Sequence, residues 1–217
     1  MKRLAKASLR TAVQLLLFAI VGTALLALTY ELTRGPILQS EEHEKMKLIS
    51  QIAPADSYDH DIMQDTQLLA PDELLGNREP VISYRGDLQN TPNIVILNAI
   101  APDGYNGKIN LIIAIRHDGS LSGVRVVSHS ETPGLGDYIE IAKNNWITTF
   151  NNRSLNNPDS NNWKVKKDGG VFDSMAGATI TPRAVVKAVH KALQYYAQHR
   201  KELLAPRAAA NSKEQKK

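Results

Sequence analysis

The sequence predicts an α+β fold class: antiparallel strands with flanking helices, carried behind a single N-terminal transmembrane helix. Three observations support this. Thr11 to Tyr30 contains no charged residue, and Gln14 is its only strongly polar one. From Ile94 the chain turns to short apolar runs punctuated by Gly, Asn and Asp, as β-hairpins are. After Thr181, residues Ala184, Val185, Ala188, Val189, Ala192, Leu193 and Tyr196 form an apolar stripe at helical period.

Taken in order, residues 1–10 carry Lys2, Arg3, Lys6 and Arg10 with no acidic residue. The apolar run over 11–30 follows. At about 1.5 Å per residue it is about 30 Å long, the thickness of a bilayer's hydrocarbon core. The rival reading is a cleaved signal peptide, whose apolar region runs about 7–15 residues before a small-x-small site. This run is longer, and pairs such as Gly22/Ala24 and Ala27/Thr29 are weak sites, so an uncleaved anchor is expected. The four basic residues before the span, against Glu31 and Arg34 after it, place the N-terminus in the cytoplasm and the rest of the chain outside it.

The net charge of +4 is also explained by that N-terminus. Of 26 basic residues, these four removed leave 22, against 22 acidic ones. A nucleic-acid-binding protein keeps its basic excess in the folded part, so that class is excluded. Cysteine is absent, which excludes disulfides, thiolate metal sites and a cysteine nucleophile.

Residues 31–93 read as an extracytoplasmic helical and loop segment. Gly35-Pro36 is expected to break or bend the chain. A polar helix follows, with Met46, Ile49 and Ile52 on one face and Glu41, Glu42, Glu44, Lys45 and Lys47 elsewhere, until Pro54. Residues 56–93 read as loops and short elements. Asp56, Asp59, His60 and Asp61 lack a Gly-centred calcium loop and read as a solvated loop, not a metal site.

The main domain is expected over 94–204. Ile94 begins an apolar run, Asp103 to Gly107 is turn chemistry, and Lys108–Arg116 and Leu121–Ser128 are strands joined through Asp118-Gly119. A helix is expected over Tyr138–Phe150, a polar loop over 151–162, a strand over Trp163–Lys167 and a turn at Asp168-Gly-Gly170. The final helix frays near 200–204, and 205–217 reads as a disordered tail.

Two stretches carry chemistry. In Asp173-Ser-Met-Ala-Gly-Ala-Thr-Ile-Thr181, the small Gly177 and Ala178 lie between an acid and two hydroxyls, Thr179 and Thr181. Pro182 suits the first helical position, which makes Thr181 the N-cap. A hydroxyl then stands at the positive helix end, beside residues small enough to admit a phosphate. Spacing alone is equally met by an ordinary N-cap. The second stretch, Glu131-Thr-Pro-Gly-Leu-Gly136, is by itself a Pro-Gly turn leaving a strand.

Together, Asp173-x-x-x-Gly-Ala-Thr-x-Thr and the upstream Glu-Thr-Pro-Gly-Leu-Gly resemble the FMN-binding domain of the RnfG/RsxG and NqrC subunits of bacterial redox-driven ion pumps. Gly104-Tyr105-x-Gly107 is also typical of that family. The resemblance covers essentially the whole chain, and its compactness is closer to RnfG/RsxG than to NqrC. Ala176 stands where the family usually has Ser or Thr.

The resemblance implies FMN bound covalently by a phosphoester to Thr181, not Thr179. It implies a magnesium-dependent flavin transferase that takes FMN from FAD and recognises Asp173 with Gly177, Ala178 and Thr179. Glu131 and Thr132 would offer oxygens to the flavin, Gly134 and Gly136 would allow close backbone approach, and Leu135 would cover a ring face. The amides of Arg183 and Ala184 would meet the phosphate. His129 is either a proton donor to the flavin or a capping, solvent-facing histidine.

The function implied is that of an electron-carrying subunit of an ion-translocating complex, a translocase, with the other subunits as partners. It would sit in the bacterial inner membrane with its main domain periplasmic. The residues themselves show no catalytic triad. Two alternatives lack a redox centre: an anchored binding module, and an assembly factor using the Glu-rich helix at 37–52.

Overall fold

In the computed structural model, residues 2–205 are described, the side chains of residues 2–5, 7, 41 and 42 aside. Apart from Ala205, the expected disordered tail lies outside the described residues. The chain divides into two compact units, Met1–Lys45 and Met46–Lys217.

The described residues of the first unit all belong to the helix α1, Lys2–Ile52. From Ser8 onward α1 is long and apolar enough to cross a membrane. Large apolar side chains along the apolar run of α1, Phe18 and Leu26 among them, are exposed. The Thr29 and Thr33 hydroxyls donate to the carbonyls of Leu25 and Thr29, at 2.8 and 2.9 Å, so neither is left without an acceptor in an apolar setting. Of the break or bend expected at Gly35-Pro36, the break does not occur: the helix continues through Pro36. A proline withdraws one N–H and crowds one carbonyl a turn earlier. Here the ladder on both sides outweighs that local cost.

The second unit is built on a five-stranded antiparallel sheet in simple chain order: β1 Thr66–Leu69, β2 Val81–Leu88, β3 Thr91–Gly104, β4 Gly107–Arg116 and β5 Leu121–Ser128. β3 to β5 fall where the hairpin signals put them. β1 and β2 lie within the stretch read as loops and short elements. Its prolines mark the ends of strands instead of excluding them. Pro71 and Pro80 lie between β1 and β2, and Pro92 pairs with Asp87 where the β2–β3 register shifts.

Strand alternation distributes the core between two faces. On one face, Val95, Leu97 and Ala99 of β3 and Leu111, Ile113 and Ile115 of β4 pack with the helix α2, Ile180–Leu203. The predicted α2 stripe, Ala184 through Tyr196, is buried there. On the other face, Ile94, Ile96, Ile112 and Ala114 pack with Ile49 and Ile52 from the last turn of α1. Gly123 allows that approach, since a Cβ there would stand 2.6 Å from Ile52 Cγ2.

Two expectations between β5 and α2 are corrected. Tyr138–Phe150 is not one helix but two short 3-10 turns, Asp137–Ile139 and Asn145–Phe150, with Asn144 accepting from the Trp146 amide at 2.8 Å and starting the second. Trp163–Lys167 is not a strand. Val165 makes a single bridge to Phe172, and a 3-10 turn, Lys166–Asp168, ends at Gly169. Aromatic packing orders this segment instead: Tyr138 to Trp146 at 5.6 Å, Trp146 to Phe150 at 5.4 Å, Phe150 to Phe172 at 4.8 Å between ring centroids.

Candidate functional site

Three chain segments converge at one edge of the second unit: the β3–β4 turn, the loop leaving β5, and the start of α2. They enclose a cleft of about 370 Å³ lined by Tyr105, Glu131, Thr132, Leu135, Gly136, Gly177, Ala178, Thr179, Ile180 and Thr181. A cleft of this size lies within the usual range for small-molecule sites, about 300–1,000 Å³.

The loop after β5 is shaped by its own hydrogen bonds. The amides of Leu135 and Gly136 both donate to the Thr132 carbonyl, at 3.1 and 2.9 Å, and the Gly134 amide donates to Asp137 Oδ1 at 2.8 Å. This tight turn points the Leu135 side chain outward, half exposed, and folds Glu131 inward, 4 % exposed. Gly136 makes the approach possible, since a Cβ there would stand 2.9 Å from Glu131 Cβ and 3.1 Å from Thr181 Oγ1.

Thr181 does not cap the helix as its spacing predicts. Helix α2 begins at Ile180, and Thr179 occupies the N-cap position without a side-chain capping bond. The Thr181 hydroxyl turns inward and donates to Glu131 Oε2. A buried carboxylate needs charge-assisted hydrogen bonds more than the helix end needs a capped amide. Glu131 Oε1 accepts a second one, from the Asn106 amide at 3.1 Å. The Arg183 amide already donates to the Thr179 carbonyl at 3.3 Å, closing the first helical turn. The amides ahead of that bond, and so able to face an anion, are those of Ile180 and Thr181, not the expected Arg183 and Ala184.

His129 braces the loop. Its Nδ1 accepts from the Glu131 amide at 2.9 Å, which leaves the proton on Nε2, facing Glu140 Oε1 at 2.6 Å. It does not line the cleft. Tyr138 accepts the Met175 amide at 3.3 Å beneath the α2 approach, and burial pushes its phenol pKa up.

Of the residues singled out from sequence, Glu131, Thr132, Leu135, Gly136, Gly177, Ala178, Thr179 and Thr181 line the cleft. Gly134 serves the turn at a positive φ of 77°. Asp173 lies outside the cleft, two-thirds exposed and paired with Lys166 at 2.6 Å. Sequence reasoning missed Tyr105, Ile180 and Asn106. Asn106 also donates to Thr132 Oγ1 at 3.0 Å. The Gly104-Tyr105-x-Gly107 turn was the available clue to two of them.

The charged side chains beside the cleft are committed to one another. Arg183 forks onto Asp168 at 2.6 and 2.8 Å, and its hydrogen bond holds that carboxyl below the usual range. Lys187 reaches Asp103 at 2.5 Å. The described lining residues include no lysine or arginine and one acid, Glu131, so the favourable partners for an anion here are backbone amides and the helix dipole. Among the described residues, no group of three His, Cys, Asp or Glu is placed to hold a metal ion. In the Asp56–Asp61 cluster, Asp61 and Asp59 accept from the amides of Met63 and Gln89, at 3.1 and 2.7 Å.

A family model described as an FMN-binding domain matches residues 104–194, and one described as the RnfG N-terminal region matches residues 1–52. Proteins named as the G subunit of an ion-translocating oxidoreductase complex are similar over most of their length. One from Pseudomonas aeruginosa (strain UCBPP-PA14) is 47% identical over 206 residues, 94% of this chain and 96% of that one. One from Vibrio cholerae serotype O1 (strain ATCC 39541 / Classical Ogawa 395 / O395) is 44% identical over 189 residues, 87% of this chain and 90% of that one. One from Aliivibrio fischeri (strain MJ11) is 40% identical over 195 residues, 90% of this chain and 93% of that one.

Proposed function

The chain belongs to the family of G subunits of ion-translocating oxidoreductase complexes, with an FMN-binding domain, and on that premise we propose that it carries electrons on FMN attached through a phosphoester to Thr181. One observation supports the reading above the rest. The loop at Glu131–Gly136 and the stretch at Gly177–Thr181 line a single cleft, with Glu131 and Thr181 hydrogen-bonded across 50 residues of chain.

The residues present fit the cofactor. Tyr105, Leu135 and Ile180, with 65%, 49% and 44% of their surfaces exposed, offer apolar surface to an aromatic ring system. Thr132 and Thr179 offer hydroxyls, and the start of α2 offers amides and a dipole to a phosphate. Bound flavin supplies one- and two-electron chemistry, while the chain positions it and limits water at its ring. Exposed Asp173 and the Gly177–Thr179 segment are the recognition sequence for a flavin transferase. The apolar run of α1 anchors the protein in the bacterial inner membrane, N-terminus in the cytoplasm and sheet domain in the periplasm. There it docks with the other subunits as part of a translocase.

The test is a denaturing gel viewed for flavin fluorescence, with peptide mass spectrometry, on full-length protein co-produced with a flavin transferase. Wild type should fluoresce, Thr181→Ala should be dark, and Thr181→Ser should keep part of the signal. Flavin found on Thr179, or lost on denaturation, would overturn the assignment.

A further inference from the structure

We propose that Glu131 is the proton acceptor for Thr181 during its own modification, so that the chain contributes a general base to the reaction that loads it. The inference rests on the reading of Thr181 as the attachment point. It starts from an unusual placement. A threonine hydroxyl at a helix start ordinarily caps an amide. Here it donates to a carboxylate that is almost fully buried.

The surroundings of Glu131 are organised around that contact. Oε1 is held by the Asn106 amide, and Oε2 is left to Thr181. The main chain at Glu131 is tied to His129 Nδ1, whose Nε2 is tied in turn to Glu140, so His129 is a positioning residue for the carboxylate. Gly136 lies against both partners without a side chain to separate them. Thr181 lines the cleft and is 1 % exposed, so an incoming phosphate group reaches its oxygen only from the cleft side. A geometric role in structure alone would be met by any hydrogen-bond acceptor. A buried carboxylate aimed at the one hydroxyl that reacts matches the arrangement of nucleophile and base found in covalent catalysis.

The step balances without redox change. FAD, delivered by the transferase, is the co-substrate. The Thr181 Oγ1–phosphorus bond forms at the FMN-side phosphorus, the bridging P–O bond to the adenylate half breaks, and AMP leaves. The proton from Oγ1 passes to Glu131 Oε2 and then to solvent.

The experiment measures the initial rate of covalent flavin incorporation, by intact-protein mass, for full-length protein with purified flavin transferase, FAD and magnesium. General-base contributions are about 10²–10⁴-fold, so Glu131→Gln should lower the rate on the order of 100-fold. Glu131→Ala should be similarly slow and should regain part of its rate when formate is added, an effect that a purely structural role would not give. Unfolding curves establish that the variants are folded, and the formate response is decisive if the Gln variant is not. A Gln variant at the wild-type rate, or a folded Ala variant indifferent to formate, overturns the proposal while leaving Thr181 as the attachment point. Wild-type protein that gains no flavin on Thr181 overturns both.

Discussion

Trp146 donates its indole N–H to the main-chain carbonyl of Asp173 at 2.8 Å, fixing the approach to α2 onto the aromatic cluster under the sheet. Its ring is also edge-on to both Tyr138 and Phe150. Trp146→Phe keeps much of the ring packing and removes the donor. The expected loss is about 1 kcal/mol, the net worth of one hydrogen bond. In a domain of this size that is about 2–4 °C in Tm. A thermal melt checks it, and an unchanged Tm would mean that the carbonyl finds water instead.

Leu135 presents an apolar side chain, half exposed, at the cleft mouth. Leu135→Ala should change folding stability by less than about 0.5 kcal/mol, as exposed sites do. It should leave attachment at Thr181 intact and shift the flavin's redox potential and fluorescence, because water gains a ring face. Spectroelectrochemical titration of the full-length protein is the measurement. Wild-type potential and fluorescence at full loading would reduce this loop to a turn.

His190 stacks on Trp163 with ring centroids 5.2 Å apart, and burial lowers its pKa. The folded state thus prefers neutral imidazole. The contribution is fully present above the unfolded value of about 6.5 and is lost as pH falls from there through the lowered folded value. His190→Phe keeps a stacked ring with nothing to titrate. Urea unfolding at a series of pH values should show wild type losing stability relative to the variant over that window. Parallel curves would rule the effect out.

The charge step across residues 11–30 gives a topology expectation. A reporter active only outside the cytoplasm, fused at the C-terminus, should be active. Replacing Lys2, Arg3, Lys6 and Arg10 together by neutral residues should weaken or invert the orientation. Activity of a cytoplasm-only reporter at the same fusion point would refute it.

Local pattern made much of this protein legible. The uncharged run over 11–30, the Asp118-Gly119 hairpin and the α2 stripe each follow from a short-range rule, and the structure keeps all three. The elements that differ from the local pattern depend on distant partners. β1 and β2 are strands because β3 pairs with β2, and β1 with β2 in turn, across a proline-rich stretch. Residues 138–150 break into 3-10 turns because Phe150 is held by the rings of Trp163 and Phe172, and Trp146 by the Asp173 carbonyl.

The same division runs through the candidate site. By itself, the sequence singled out the two short stretches that meet at the cleft, those holding Glu131, Thr132 and Leu135 and holding Thr179 and Thr181. Only the tertiary structure decided what Thr181 does. A cap is a contact within about three residues, and the sequence favoured it on that ground. The partner that prevailed lies 50 residues away. Burial removes water from around Glu131, and a carboxylate without water takes the strongest donor that the fold brings within reach.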